Sequence, residues 1–248
     1  MSGSGRRGWK NAQVSLLVDR VVAPYYATNC WIIAPAKNSH CVVIDPGIAI
    51  PNLMKEIKAK LEEHNLVVGA IFITHGHLDH TFSLYSLAKD FIESDTYIHK
   101  ADRDLLSNPE RAMGPQSQAL LSELGKLAGE EINFQEPERT WSIDSDSESK
   151  LGGMNFSFRH APGHTPGSTL AVVDDELLIS GDVLFKGGIG RTDLPRGSMS
   201  DMEITLREKI ATLPPHLRVL TGHGDESRME EELKSNQYLI AATQGRLA

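Results

Sequence analysis

Cysteine is scarce in this chain. Only Cys30 and Cys41 occur among 248 residues, and neither belongs to a CxxC pair. Two thiols are too few for a disulfide framework and fit a reducing compartment or simple buried thiols. A long uncharged apolar run is missing as well. Arg6 and Arg7 precede the stretch 14–22, but Asp19 and Arg20 interrupt it, so neither a signal-peptide core nor a membrane-spanning helix is expected. Basic residues are outnumbered: Lys plus Arg is 25 against 33 for Asp plus Glu, a formal charge of -8. A long phosphate backbone is on average repelled by such a chain. These absences exclude nucleic acid and membrane as first partners and lead to the expectation of a soluble cytoplasmic protein.

What is present is globular. With 40% hydrophobic residues the chain can bury a substantial core, and a single domain over 1–248 is expected, with 1–12, which begins MSGSG, as a flexible terminus. Short runs rich in valine and isoleucine predict strands at 14–22, 30–34 and 41–44, the third ending at the turn Asp45-Pro46-Gly47. Leu53, Ile57 and Leu61 stand four apart among lysines and glutamates, which predicts a helix over 53–61. The same reasoning predicts strands at 70–74, 96–99, 156–160, 169–173, 176–180 and 217–221, and helices at 81–91, 116–127 and 201–211. Strands that pair with neighbours and helices that must cover them predict two sheets packed face to face with helices outside, an α/β sandwich. Strand-then-helix order occurs in both halves. The segment 135–150, with Glu136, Glu138, Asp144, Asp146 and Glu148 among serines, is expected to be a solvated surface loop.

The densest chemistry is THGHLDH, residues 74–80. It follows a β-rich run, so the side chains leave the strand in an irregular loop where they can converge. An isolated histidine is more often a surface or hydrogen-bonded core residue than a ligand. Here His75, His77, Asp79 and His80 put four imidazole or carboxylate donors within six residues, the ligand types that hold zinc, manganese or iron. Three further strand ends carry donors beside small or turn-forming residues: HAPGHTPGS around His164, SGD at Asp182 and TGHG at His223. Each is weak alone, since an aspartate there is commonly a turn former. Together they are strong.

THGHLDH followed in order by His164, Asp182 and His223 resembles the metallo-β-lactamase superfamily, over about residues 14–238. The segment GDVLFKGGIGRTDLPRG, residues 181–197, and the DPG at 45–47 resemble its compact glyoxalase II-like branch of hydroxyacylglutathione hydrolases and related thioester hydrolases. The resemblance implies a four-layer αββα sandwich of two mixed sheets. It implies that His75, His77 and His164 bind one divalent ion and Asp79, His80 and His223 a second, with Asp182 bridging. Zinc is the first expectation, with iron or manganese accepted by the same donors. The implied reaction is hydrolysis of a small-molecule thioester such as S-lactoylglutathione, by attack of a metal-bridging hydroxide whose pKa the two ions bring toward about 7. Asp79 and Asp182 act in this catalysis as ligands. Arg191 stands where related glyoxalases place a basic residue on the substrate's carboxylate end, and Lys186 and Asp193 share its loop as further candidate substrate contacts. The closing DESRMEEELKSNQYL resembles the family's last helix, although Gln237 stands where proline is frequent. Glu231, Glu232 and Lys234 read as a solvated helical face.

Other activities of the same superfamily compete. A nuclease is disfavoured because the stretch between His164 and Asp182 is too short for an inserted domain and the 135–150 segment is acidic. A β-lactamase is disfavoured by Asp182 and by the expected lack of export. Lactonase or phosphodiesterase activity stays open. So does a persulfide dioxygenase, which resembles this branch but uses one iron on His75 or His77, His164 and Asp182. Full-length glyoxalases II carry a helical domain with many glutathione contacts. The sequence at hand stops at residue 248, so another thiol carrier is also open.

Overall fold

A computed structural model describes residues 15–115, 117–128, 132 and 134–247. The expected flexible stretch 1–12, the start of the 14–22 strand and Gln116 lie outside the described residues.

In chain order the strands are β1 (Leu17–Val22), β2 (Asn29–Ala34), β3 (His40–Ile44), β4 (Val67–Phe72), β5 (Asp95–His99), β6 (Thr140–Ile143), β7 (Ser147–Leu151), β8 (Met154–His160), β9 (Thr169–Val173), β10 (Leu177–Gly181), β11 (Arg218–Thr221) and β12 (Ser227–Arg228). The helices are α1 (Leu53–His64), α2 (Leu78–Thr81), α3 (Leu84–Asp90), α4 (Ser117–Ala128), α5 (Met199–Thr205), α6 (Met229–Ser235) and α7 (Gln237–Thr243). Two six-stranded sheets form, ordered β1-β2-β3-β4-β5-β6 and β12-β11-β10-β9-β8-β7. Both are mixed: β3 through β6 run parallel while β1 and β2 are antiparallel, and β10 pairs parallel with β11 but antiparallel with β9. Each half of the chain therefore supplies one sheet.

Period-2 alternation explains the four layers. On β2 and β3, Trp31, Ile33, Val42 and Ile44 face the second sheet and pack with Phe72, Phe156, Phe158 and Ile179. Their neighbours Ile32, Cys41 and Val43 face outward against Leu53, Ile57 and Leu61 of α1 and Leu84 and Leu87 of α3. On the second sheet Ala171 and Val173 point inward, while Leu170 and Val172 meet Met202 of α5 and Leu239 and Ala242 of α7. Burial on both faces is why these strands read as continuous apolar runs rather than alternating ones.

Four expectations need correction. The acidic segment 135–150 is not one loop: it holds β6, an outer strand of one sheet, and most of β7, an outer strand of the other. Most of its polar side chains are exposed, while Thr140, Ile143 and Leu151 supply the buried positions of the two strands. The expected 81–91 helix is α2 and α3, separated at Phe82–Ser83, and the expected 201–211 helix ends as α5 followed by one wider π turn, Leu206–Ile210. Glu232 is no part of a solvated face, since it is 2% exposed, although Glu231 and Lys234 are exposed. Both cysteines are buried and unpaired by disulfide. No helix among the described residues is long and apolar enough to cross a membrane.

Candidate metal centre

The donors gather where several strands of both sheets end. Beyond β4, Thr74 anchors the loop: it donates from its amide to Asp45 Oδ1 at 2.9 Å and from Oγ1 to Asp45 Oδ2 at 2.7 Å. His75, His77, Asp79 and His80 follow, the last two on the short α2. His164 comes from the β8–β9 connection, Asp182 directly follows β10, and His223 stands two residues beyond β11. Two glycines permit the crowding. Gly181 turns at φ +48°, where a Cβ would sit 2.5 Å from Thr74 Oγ1, and a Cβ on Gly222 would sit 2.1 Å from Asp182 Oδ1.

Two three-donor groups result. His77 Nδ1 is 2.8 Å and His75 Nε2 3.2 Å from His164 Nε2. His80 Nε2 and His223 Nε2 are 3.2 Å apart, and Asp79 Oδ2 is 3.5 Å from the first and 3.2 Å from the second. Asp182 lies between the groups. Its Oδ2 is 3.6 Å from His164 Nε2 and 3.4 Å from His223 Nε2, and its Oδ1 is 3.4 Å from His80 Nε2. All seven predicted donors are thus brought together, and Asp182 Oδ1 is buried without a hydrogen-bond partner.

The outer ring nitrogens are anchored in ways that decide the tautomers. His164 Nδ1 donates to the Arg191 carbonyl at 2.7 Å and His223 Nδ1 to the Tyr26 carbonyl at 2.9 Å. His80 Nδ1 is 2.9 Å from Asp45 Oδ2, and His75 Nδ1 is 3.0 Å from Thr74 Oγ1, whose hydrogen is already given to Asp45. A ring that gives its Nδ1 proton to such a partner turns Nε2 to the cluster, where it offers a lone pair once that nitrogen is deprotonated. Burial holds His75 neutral and pushes His77 down to about 3, with His164 adding to the effect. The other group is tuned oppositely. Although burial opposes it, hydrogen bonds to Asp182 and Asp79 lift His223 to about 9, and despite burial His80 and His223 hold Asp79 down at about 2. Buried carboxylates at this spot attract positive charge, and the converging imidazole nitrogens, neutral at His75 and His77, are ligands for a cation that displaces the protons of the others. The donor set fits divalent metal ions.

Two supporting carboxylates were not singled out from the sequence. Asp45 was visible only as part of a DPG turn. Asp102, fully buried, accepts from Gly76 N at 2.9 Å, Thr165 Oγ1 at 2.6 Å and Gly167 N at 2.9 Å, and so ties the His75–His80 loop to the His164 loop. The candidate substrate contacts are placed less uniformly. The Arg191 guanidinium is exposed and makes two 2.8 Å bonds to Asp193, while its carbonyl holds His164. Lys186 is exposed on the other side of the centre, 3.9 Å from Asp225.

The chain matches the family model of the metallo-β-lactamase superfamily over residues 23–223. It is 33% identical over 219 residues to the probable metallo-hydrolase YqgX of Bacillus subtilis, covering 88% of this chain and 94% of that protein. It is 32% identical over 220 residues to the hydroxyacylglutathione hydrolase GloC of Haemophilus influenzae, covering 86% of this chain and 93% of that protein. Among solved structures it resembles BLEG-1, a B3 metallo-β-lactamase, with TM-score 0.75 at 27% identity over 90% of this chain and 99% of that one. It also resembles TTHA1623 in a di-iron-bound form, with TM-score 0.70 at 25% identity over 89% and 100%.

Proposed function

The chain belongs to the metallo-β-lactamase superfamily, and on that premise we propose that it is a binuclear metal-dependent hydrolase of small acyl thioesters, acting in the cytoplasm. The observation that carries this reading is the pair of complete three-donor groups with Asp182 between them. His75, His77 and His164 would hold one ion, Asp79, His80 and His223 the other, and Asp182 both. Two such ions acidify water at neutral pH and polarise the carbonyl under attack.

The chain's own residues orient and tune this centre. Asp45, through Thr74 and His80, fixes the ligand loop, and the Arg191 and Tyr26 carbonyls keep His164 and His223 in the ligating tautomer. Neither cysteine competes as a nucleophile: both sit in the layer between sheet and helices, and burial pushes the Cys41 thiol up to about 12. The donor chemistry accepts zinc, iron and manganese; zinc is our first choice, and the di-iron form of a similar protein supports iron as an alternative. Likeness to GloC supports S-lactoylglutathione or a related acyl thiol as substrate. Arg191, Lys186 and Asp193 are assigned to substrate contact on their position in the 182–197 loop beside His164 and Asp182.

Asp182→Ala tests the reading. Thioester hydrolysis by the metal-loaded protein is expected to fall at least about a hundredfold, with the circular dichroism spectrum retained. Turnover close to wild type would refute the assignment.

A further inference from the structure

Arg196 takes no part in the chemistry proposed above, yet its backbone is strained. It is a non-glycine residue at φ +75°, in the left-handed region that side chains of L residues rarely adopt. Such a conformation persists only where the surroundings over-determine it, and it gathers at functional sites. The side chain provides that determination. Its guanidinium donates from Nη1 to Asp104 Oδ1 at 3.1 Å and to Oδ2 at 3.3 Å, and from Nη2 to the Ala101 carbonyl. A planar fork of this kind fixes its acceptors in direction as well as distance.

What the fork grips is the segment on which the first three-donor group rests. Asp104 belongs to the single 3-10 turn Arg103–Leu106, which begins beside Asp102. Asp102 accepts from Gly76 N on one side and from Thr165 Oγ1 and Gly167 N on the other. Leu105 lies so close to Gly76 that a Cβ there would meet Leu105 Cδ1 at 2.6 Å, and a Cβ on Gly167 would meet Asp102 Cγ at 2.5 Å. Residues 101–105 therefore touch both the loop of His75 and His77 and the loop of His164. Burial pushes the Asp102 carboxyl up, and its three hydrogen bonds and the nearby Arg196 charge offset part of that.

Arg196 joins a third loop to this segment. A Cβ on Gly190 would sit 1.9 Å from the Asp182 carbonyl oxygen and 3.0 Å from His164 Nδ1, so the backbone there lies directly on both ligands. The next residue, Arg191, gives its carbonyl to His164 Nδ1 at 2.7 Å. The chain then turns back, with Gly197 N donating to the Leu194 carbonyl at 2.9 Å and Ser198 N to the Gly163 carbonyl at 2.8 Å. The exposed Arg191 and Asp193 side chains bond to each other. Among the described residues, the ion pair that ties residues 190–197 to another part of the chain is Arg196–Asp104.

We propose that Arg196 is a positioning residue of the metal centre: by clamping residues 190–197 to residues 101–104 it holds the Arg191 carbonyl on His164 Nδ1, and so keeps His164 Nε2 turned to the ion shared with His75 and His77. This rests on the two-ion reading above. The rings of the other group are held elsewhere, His80 by Asp45 and His223 by the Tyr26 carbonyl. The clamp therefore acts selectively on one ion.

The test is titration of the full, metal-free chain with zinc under chelator competition, while nitrogen–proton NMR of the imidazole rings follows His164 and His223 separately. Arg196→Gly removes the fork and also relieves the left-handed backbone, so its urea midpoint is expected to stay near wild type. Zinc affinity at His164 is expected to fall at least about tenfold, with a smaller change at His223 and faster exchange of the His164 Nδ1 proton. Asp104→Asn keeps the backbone and weakens the grip. A smaller loss at the same ring is expected, and the double variant is expected to be no worse than Arg196→Gly. A side chain that served the fold alone would lower the urea midpoint and leave the ratio of the two affinities as it was. Unchanged affinity at His164, equal losses at both rings, or additive losses in the double variant overturns the proposal. If Arg196→Gly does not fold, Asp104→Asn carries the test, with selective loss at His164 expected and its absence overturning the clamp. The two readings fail separately. A wild type that takes up a single zinc at His164, weakened by Arg196→Gly, would sink the two-ion reading alone, and two ions held equally by wild type and Arg196→Gly would sink the clamp alone.

Discussion

Asp45 is not one of the seven converging donors, yet it governs how two of them are presented. Its carboxylate takes both hydrogens of Thr74 and faces His80 Nδ1, so His80 can aim only Nε2 inward. Asp45→Asn keeps the shape and removes the charge. Affinity for the ion held by Asp79, His80 and His223 is expected to drop about 10- to 100-fold, read as metal content falling toward one per chain after dialysis; two retained ions would count against this role. His99 carries a prediction of another kind. Its ring stacks 4.0 Å from His160, its Nε2 is buried without a partner, and burial, then His160 and Lys100, press its pKa down from 6.5 to about 4. The unfolded chain therefore takes up a proton that the folded chain refuses. The His99 contribution is fully present above about pH 6.5 and is lost as pH falls toward 4. Urea midpoints across that window are expected to fall for wild type and to fall less steeply for His99→Asn. At this scale the sequence is legible where side chains do the chemistry: HGHLDH and three glycine-flanked donors stand out because their density defeats the ordinary reading of a lone histidine. Asp45 and Asp102 look like any turn or loop aspartate, and the Arg191 and Tyr26 contributions come from backbone carbonyls, which leave no mark on residue identity.

Among the strands, two outer ones, β6 and β7, were read as a loop. Apolar alternation reveals a strand through what it buries, and β7, SESKL, buries only Leu151. Exposed charge is what keeps an outer strand from pairing with other chains, so the polarity that suggested a loop is the protection such a strand needs. Conversely β2, β3, β9 and β10 are legible because both of their faces are covered. Helix α6 was misjudged for one residue. Three glutamates in its first turn suggest a solvated face, but Glu232 turns inward to Ser227, Gly187 and Asn236. Glu232→Ala leaves those buried donors unanswered. It is expected to cost at least about 2 kcal/mol, against less than about 0.5 kcal/mol for a surface substitution, which urea denaturation measures directly.

Across the whole molecule, the division of the sequence into two halves becomes a division into two sheets, and the cluster is assembled from both. His75, His77, Asp79 and His80 come from the first half, and His164, Asp182 and His223 from the second. Neither half holds a complete set for either ion once Asp182 is included, so the centre exists only in the packed sandwich. Asp102, reaching from the end of β5 to Thr165 and Gly167, is one of the links that fix the relative position of the two halves beside the cluster. The claim that this junction is a two-ion hydrolytic centre is tested most directly by titrating the metal-free protein with zinc while following hydrolysis of S-lactoylglutathione. The account predicts activity that rises to a plateau at two equivalents per chain. A plateau of binding at one equivalent without hydrolysis, together with oxygen uptake on glutathione persulfide by the protein carrying a single iron, would contradict it.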